Sequence, residues 1–318
     1  MTADRKKFQV LINEKKAIEL SQRLFQMMDE RVPPYDREGV FPDAIVPEGM
    51  EIGGLEHRLF LFYSGSIDGR TSSPQVYQEL RDLSANAVNG IQLLLKIVDP
   101  ETIKLKLYGP LESYLLQYLP KTLGASEESE RIAEVADNIK FNSRLLLERY
   151  SGDPKNILVP DSVEETHLRL CRFKGIGRHK GALIMKNYVK FGVWPFNEYE
   201  IPMKVDRHTF RILYGTGVME ITRDGEPLED GEQISTKFSF GPVQDQLRGI
   251  TSRNRISAIK FNDGLWSLGS RSCRRNDYVF CQVNCYVGCY SRPNTPESVS
   301  YLIVGSDTRK NRMQGVLF

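Results

Sequence analysis

Apolar residues recur at helical spacing along most of this chain. Ala17, Leu20, Leu24 and Met27 repeat at three and four within residues 13–31, which predicts one amphipathic helix ending before Pro33-Pro34. Residues 33–54 are rich in Pro, Gly and acidic side chains and show no period, so an irregular connection is expected there. Tyr77, Leu80, Leu83, Ala87 and Ile91 resume the helical pattern, with Asn89-Gly90 as a break point. Leu111, Leu115 and Leu119 predict a further helix before Pro120, and Ile132, Val135 and Ile139 another after it.

The second half carries sharper punctuation. Ser162 follows Pro160-Asp161 as a capping signal for a helix reaching Cys171. A second helix starts near Arg178, buries Ala182, Met185 and Val189, and ends around Phe191-Gly192. Between them lies Phe173-Lys-Gly-Ile-Gly177, two glycines flanking one apolar residue, which predicts a helix-hairpin-helix with Ile176 turned inward. Asp206 precedes Phe210, Leu213 and Tyr214, the place of a helix N-cap. Residues 218–240 break the helical pattern: Asp224-Gly225, Asp230-Gly231 and the alternation Ile234-Ser-Thr-Lys-Phe-Ser-Phe240 predict an inserted β-hairpin. Helix returns with Ile256, Ile259 and Trp266.

The expected fold is therefore mainly α, two helical lobes with a small inserted β-hairpin. Residues 1–58 and 241–290 are expected to form one lobe and 59–217 the lobe with the hairpin, leaving 218–240 as an insertion and 291–318 as a tail. No run of about 18 apolar residues is present to span a membrane, and Met-Thr-Ala-Asp-Arg-Lys-Lys at the start lacks the apolar core of a secretory signal. An intracellular protein of the cytoplasm or nucleoid is expected.

Charge changes the picture only locally. Against 43 Lys and Arg stand 41 Asp and Glu, a formal charge of +2, which excludes nothing. From Thr166 to Lys190, however, there are seven basic residues (Arg169, Arg172, Lys174, Arg178, Lys180, Lys186, Lys190) and no acidic one. A basic run coinciding with a hairpin whose helix N-terminus favours anions points to nucleic-acid phosphate, with Lys174, Gly175, Ile176, Gly177 and Arg178 as the contact candidates. Cys273, Cys281, Cys285 and Cys289 form C-x7-C-x3-C-x3-C. In a reducing compartment four thiolates so close together suit a metal, either a [4Fe-4S] cluster or a tetrahedral zinc. Interleaved Tyr278, Phe280, Tyr286 and Tyr290 could shield a cluster from water, and Arg271, Arg274 and Arg275 add positive charge beside the first ligand, with Arg274 and Arg275 as further DNA-contact candidates.

Taken in order, helix, G-I-G hairpin, helix, loop, Val205-Asp206-Arg-His208 and four cysteines resemble the helix-hairpin-helix DNA glycosylase superfamily, and within it the endonuclease III type with a C-terminal iron–sulfur cluster. The resemblance runs loosely from Leu59 to Cys289 and tightly over Leu168–Lys190 and Lys204–Gly217. It implies excision of a damaged or modified base from DNA, with Asp206 as the catalytic carboxylate, and extrusion of that base from the stack. The family's segment that penetrates DNA corresponds to Ser64–Arg70. Bifunctional members carry a nucleophilic lysine immediately after G-x-G-R. Here that place is His179, and Lys180 follows one position later, about 100° around a helix. Both are catalytic candidates, and the departure implies base release without strand cleavage. Gln314-Gly-Val-Leu317-Phe318 resembles the Gln-x-x-Leu-Phe peptides that dock on bacterial sliding clamps; a terminal strand continuing from Tyr301-Leu-Ile-Val304 is the alternative. Two other functions fit the same residues: an N-glycosidic hydrolase of a free modified nucleoside or nucleotide, and a non-catalytic DNA-binding module.

Overall fold

The structure, a computed structural model, describes residues 8–36, 41, 43, 45–68, 73–87, 90–96, 115, 117–120, 130–227, 241–272 and 287. It is mainly helical with one small sheet. The chain divides into two compact units, Met1–Val40 with Pro202–Phe318, and Phe41–Ile201. These boundaries differ from those expected: the helix behind Asp206 groups with the N-terminal helix and not with the hairpin, because its buried face packs on elements from residues 219–272.

In the first unit, strand β1 (Phe8–Ile12) leads into helix α1 (Glu14–Asp29), capped by Asn13, whose side chain accepts from the Lys16 amide. The other elements of this unit follow the second one in sequence. They are α8 (Arg207–Gly215), β2 (Met219–Arg223), β3 (Glu226–Pro227), α9 (Gly241–Asn254), α10 (Ala258–Ser267) and a π-turn at Leu268–Ser272. The apolar stripe of α1 is buried as its spacing requires, with Ala17, Leu24 and Met27 fully covered. The expected β-hairpin is present as β2 and β3, joined by Asp224 and Gly225, both in the left-handed region that the tight hairpin turn demands. It is not self-contained. β2 also pairs antiparallel with β1, Ile12 opposite Met219, so the N-terminal residues complete a three-stranded sheet. Gln246 on α9 then bonds the free side of β1, accepting from the Ile12 amide at 2.9 Å and donating to the Val10 carbonyl at 2.9 Å. The second expected segment, 228–240, lies outside the described residues.

In the second unit the elements are α2 (Leu55–Ile67), α3 (Ser73–Asn86), α4 (Gln92–Lys96), α5 (Glu130–Tyr150), a 3-10 turn at Pro154–Ile157, α6 (Val163–Leu170) and α7 (Arg178–Lys190). The break at Asn89-Gly90 is realised between α3 and α4. Of the expected helix through Leu111, only 115 and 117–120 are described; Leu115 and Leu119 are buried and joined by a helical backbone bond. Helix α2 is the centre of this unit. Every residue from Leu59 to Ile67 is buried, so the helix shows no apolar stripe. A methyl group on Gly65 would collide with Ile184 of α7, so the glycine sets the closest approach of the two helices. Phe60 and Phe62 alone contribute roughly 1.5–3 kcal/mol each by burial. Polar groups that follow them inward are matched: Arg58 forks onto Asp153 at 2.6 and 2.8 Å, and Tyr63 bonds Ser143, which donates to the Leu94 carbonyl. Among the described residues no helix is long and apolar enough to cross a membrane.

Candidate functional site

The hairpin is assembled as its sequence spacing indicates. Ser162 caps α6, accepting from the Glu165 amide at 3.2 Å. Phe173 and Ile176 turn inward and are 2% exposed, and the Ile176 amide closes the turn on the Phe173 carbonyl at 3.1 Å. The two glycines do different work. Gly175 has φ +74°, the left-handed region, and a Cβ there would stand 2.7 Å from Asn138 Nδ2. Gly177, the N-cap of α7, has φ −90° and ψ −178°, extended backbone open to any residue, and open space where a Cβ would lie. It provides no capping side chain, so the first amides of α7 receive no bond from their own N-cap residue.

Residues far away in sequence hold this turn. Asn142 on α5 accepts from the Lys174 amide at 2.7 Å and donates to the Lys174 carbonyl at 3.0 Å, so one buried carboxamide fixes the backbone in both senses. His167 on α6 bonds the Arg178 carbonyl at 2.8 Å and lies so close to Gly181 that a side chain there would strike it. Nothing in the chain order marks Asn142 or His167 as hairpin residues; their partners lie 32 and 11 positions away, and Asn138 meets Gly175 from a similar distance along the chain.

The seven basic residues do not make a field of seven charges. Arg169 meets Glu165 at 3.3 Å, Arg178 meets Glu164 at 3.6 Å and Lys174 meets Asp137 at 3.7 Å. Lys186 forms a buried pair with Asp43 at 2.7 Å, where burial opposes the carboxylate's charge and Lys186 and Lys190 more than restore it, holding it below the usual carboxylate range. Lys190 stands over the Phe41 ring. The counter-charges come from just before the basic window and from other elements, which is why composition within the window overstates its charge. Lys174, Arg178 and the solvent-facing Arg172 remain at the surface of the hairpin, partly neutralised at most, since exposed pairs are weak. Lys180 is turned elsewhere. Its Nζ donates to the Ser66 carbonyl at 2.6 Å, in the last turn of α2, while His179 is half-buried at the start of α7. Burial, opposed by Arg178 and helped by Glu164, pushes the Cys171 thiol up, away from reactivity.

In the other unit Asp206 occupies the N-cap of α8. Its Oδ1 accepts from the amides of His208 and Thr209 at 2.9 and 3.0 Å. Val205 and Thr209 around it are fully buried, and the Asp206 side chain is 14% exposed. Its Oδ2 lies 3.7 Å from Nζ of Lys204, a residue whose only sequence signal is a lysine inside the apolar Pro202–Val205 run. On the far side of α8, His208 Nδ1 and Arg211 Nη1 both reach the Gly269 carbonyl, at 3.1 and 3.2 Å. A Cβ at Gly269 would stand 2.6 Å from the His208 carbonyl, so the segment running toward Cys273 is pressed tightly on the Asp206 helix.

Cys273, Cys281, Cys285, Cys289, Arg274 and Arg275 lie outside the described residues, as do Gln314, Leu317 and Phe318. Among the described residues no group of three or more His, Cys, Asp or Glu is placed to hold a metal ion.

No protein-family model matches the chain, and no curated protein matches it. Among solved structures, a thermostable thymine-DNA glycosylase is similar at 15% identity with a TM-score of 0.49, covering 86% of this chain and 94% of that one. At that identity and score the likeness transfers no residue role, substrate or partner.

Proposed function

We propose that this chain is a DNA N-glycosylase that hydrolyses the bond between C1′ and a damaged or modified base, without cutting the strand, in base excision repair. The observation that carries this is Asp206: a largely buried carboxylate whose one oxygen is fixed by two backbone amides, with the other oxygen 3.7 Å from Lys204 Nζ. When the C1′–N bond breaks, its electron pair departs on the base, which takes up a proton, and positive charge develops on the sugar. A fixed carboxylate stabilises that charge electrostatically and orients the water whose oxygen adds to C1′ and whose proton is released. The hairpin serves binding: an α7 N-terminus whose N-cap Gly177 makes no side-chain capping bond, with Lys174 and Arg178 at the surface, suits a phosphate oxygen. Lys180, committed to the Ser66 carbonyl, supports α2 at the start of the segment that corresponds to the family's DNA-penetrating one, and this agrees with hydrolysis in place of lysine attack.

The four cysteines complete the endonuclease III-type reading as ligands of a [4Fe-4S] cluster, zinc being the alternative. When bound, such a group would tie the cysteine-bearing segment together. Gln314, Leu317 and Phe318 would dock on a sliding clamp.

The test is a panel of duplexes, each with one damaged, mismatched or modified base, with base release scored separately from strand cleavage. Wild-type protein should release at least one base, and Asp206→Asn should lower that rate by on the order of 10²–10⁴. Affinity for duplex should fall steeply with salt; a flat response would favour a free nucleoside as substrate.

A further inference from the structure

The proposed chemistry leaves one charged group in the Asp206 corner unused. Lys204 is 7% exposed, and its neighbours Met203 and Val205 are 1% and 0% exposed. Lysine is almost never buried unless its charge has an opposite partner, and here the Nζ lies 3.7 Å from Asp206 Oδ2. The backbone at this point is fastened. The Lys204 carbonyl accepts from Asn262 Nδ2 at 2.7 Å and from Thr209 Oγ1 at 3.4 Å, and the Met203 carbonyl accepts from Gln244 Nε2 at 2.8 Å. The ammonium therefore swings from a fixed root and stays beside the carboxylate.

We propose that Lys204 is a positioning residue for the reaction assigned to Asp206: its ammonium, 3.7 Å away, holds Oδ2 in place in a corner where the Asp206 side chain is 14% exposed. This rests on Asp206 being the carboxylate that faces the sugar. Backbone amides fix Oδ1 alone, and a carboxylate held through one oxygen still rotates about its own axis; a charge on the second oxygen removes that freedom. An opposing effect exists, because a nearby ammonium also repels the sugar cation. The two have opposite signs in experiment, so substitution at Lys204 distinguishes them.

The probe is a pair of duplexes, one with a pyrrolidine abasic analogue, cationic at the position of the sugar charge, and one with the neutral tetrahydrofuran analogue. Neither requires knowledge of the excised base. Wild-type protein should prefer the pyrrolidine duplex by on the order of a hundredfold, and Lys204→Met should lose at least about tenfold of that preference while binding the tetrahydrofuran duplex as before. Lys204→Arg should restore the preference. A purely structural lysine would lower the melting temperature and leave the ratio of the two affinities unchanged, which overturns the proposal, as does a ratio that rises. If Lys204→Met fails to fold, Lys204→Gln is measured by the same ratio with the same outcomes. A wild-type protein with no preference, or one that Asp206→Asn does not diminish, would instead overturn the role of Asp206 and with it that of Lys204.

Discussion

The hairpin and the Asp206 corner solve the same problem, holding a reactive group still, in opposite ways. In the hairpin the groups proposed to meet DNA are backbone atoms and surface cations, and the parts that hold them are other residues: Asn142 on the Lys174 backbone, His167 on the Arg178 carbonyl, Phe173 and Ile176 beneath. Stability and function are separable there by position. In the Asp206 corner one side chain is both the helix cap and the proposed catalytic group, and the two roles divide by atom, Oδ1 on the amides and Oδ2 beside Lys204. A binding element can thus be rebuilt residue by residue, whereas the catalytic one tolerates only changes that respect both oxygens.

The largest expected effect on this contrast is at Asn142. Its replacement by Ala leaves the Lys174 amide and carbonyl without their carboxamide partner, at about 0.5–1.5 kcal/mol each, and should loosen the turn. Chemical denaturation should show the loss, and duplex affinity should fall while any residual single-turnover rate at saturating protein is kept. The two glycines give a finer division. Gly175→Ala must strain a left-handed backbone and meet Asn138, at a cost of about 1–2 kcal/mol. Gly177→Ala has ordinary dihedrals and open space, so its melting temperature should stay within the range of a change of about 0.5 kcal/mol, yet duplex binding should weaken because a methyl group now stands where phosphate would approach. Equal stability losses at both positions would remove the distinction. The cap gives the last comparison: Asp206→Asn keeps an oxygen for the two amides, so its loss in unfolding experiments reports the buried Lys204 ammonium left without its counter-charge, and Asp206→Ala should lose about 1 kcal/mol more with the cap, although both should lose base release.

What the chain order revealed follows from where each signal resides. Helix α1, the caps at Ser162 and Asp206 and the Phe173–Ile176 turn were legible because their determinants lie within a few residues: a repeat of three and four, a hydroxyl or carboxylate one position before the helix, a glycine where φ is positive. Helix α2 was not, because burial on every side erases the period. Strand β1 was missed because it pairs with residues more than 200 positions away and has no turn beside it. The site divides the same way. Asp206 and the glycines carry local signals, while Asn142 and the acids that neutralise the basic run act through long-range contact. Lys204 stood in plain view within the Lys204–Gly217 block and acquires meaning only from its distance to Oδ2.

The most direct test of Asp206 as the reacting carboxylate is single-turnover base release from the duplex panel by wild-type protein and Asp206→Asn side by side, at protein concentrations that saturate binding. The account predicts a base freed by the wild type with the strand intact, and a folded variant that binds duplex like the wild type but releases that base slower by on the order of 10²–10⁴. Release at equal rates by both proteins, or from no duplex by either, would contradict it.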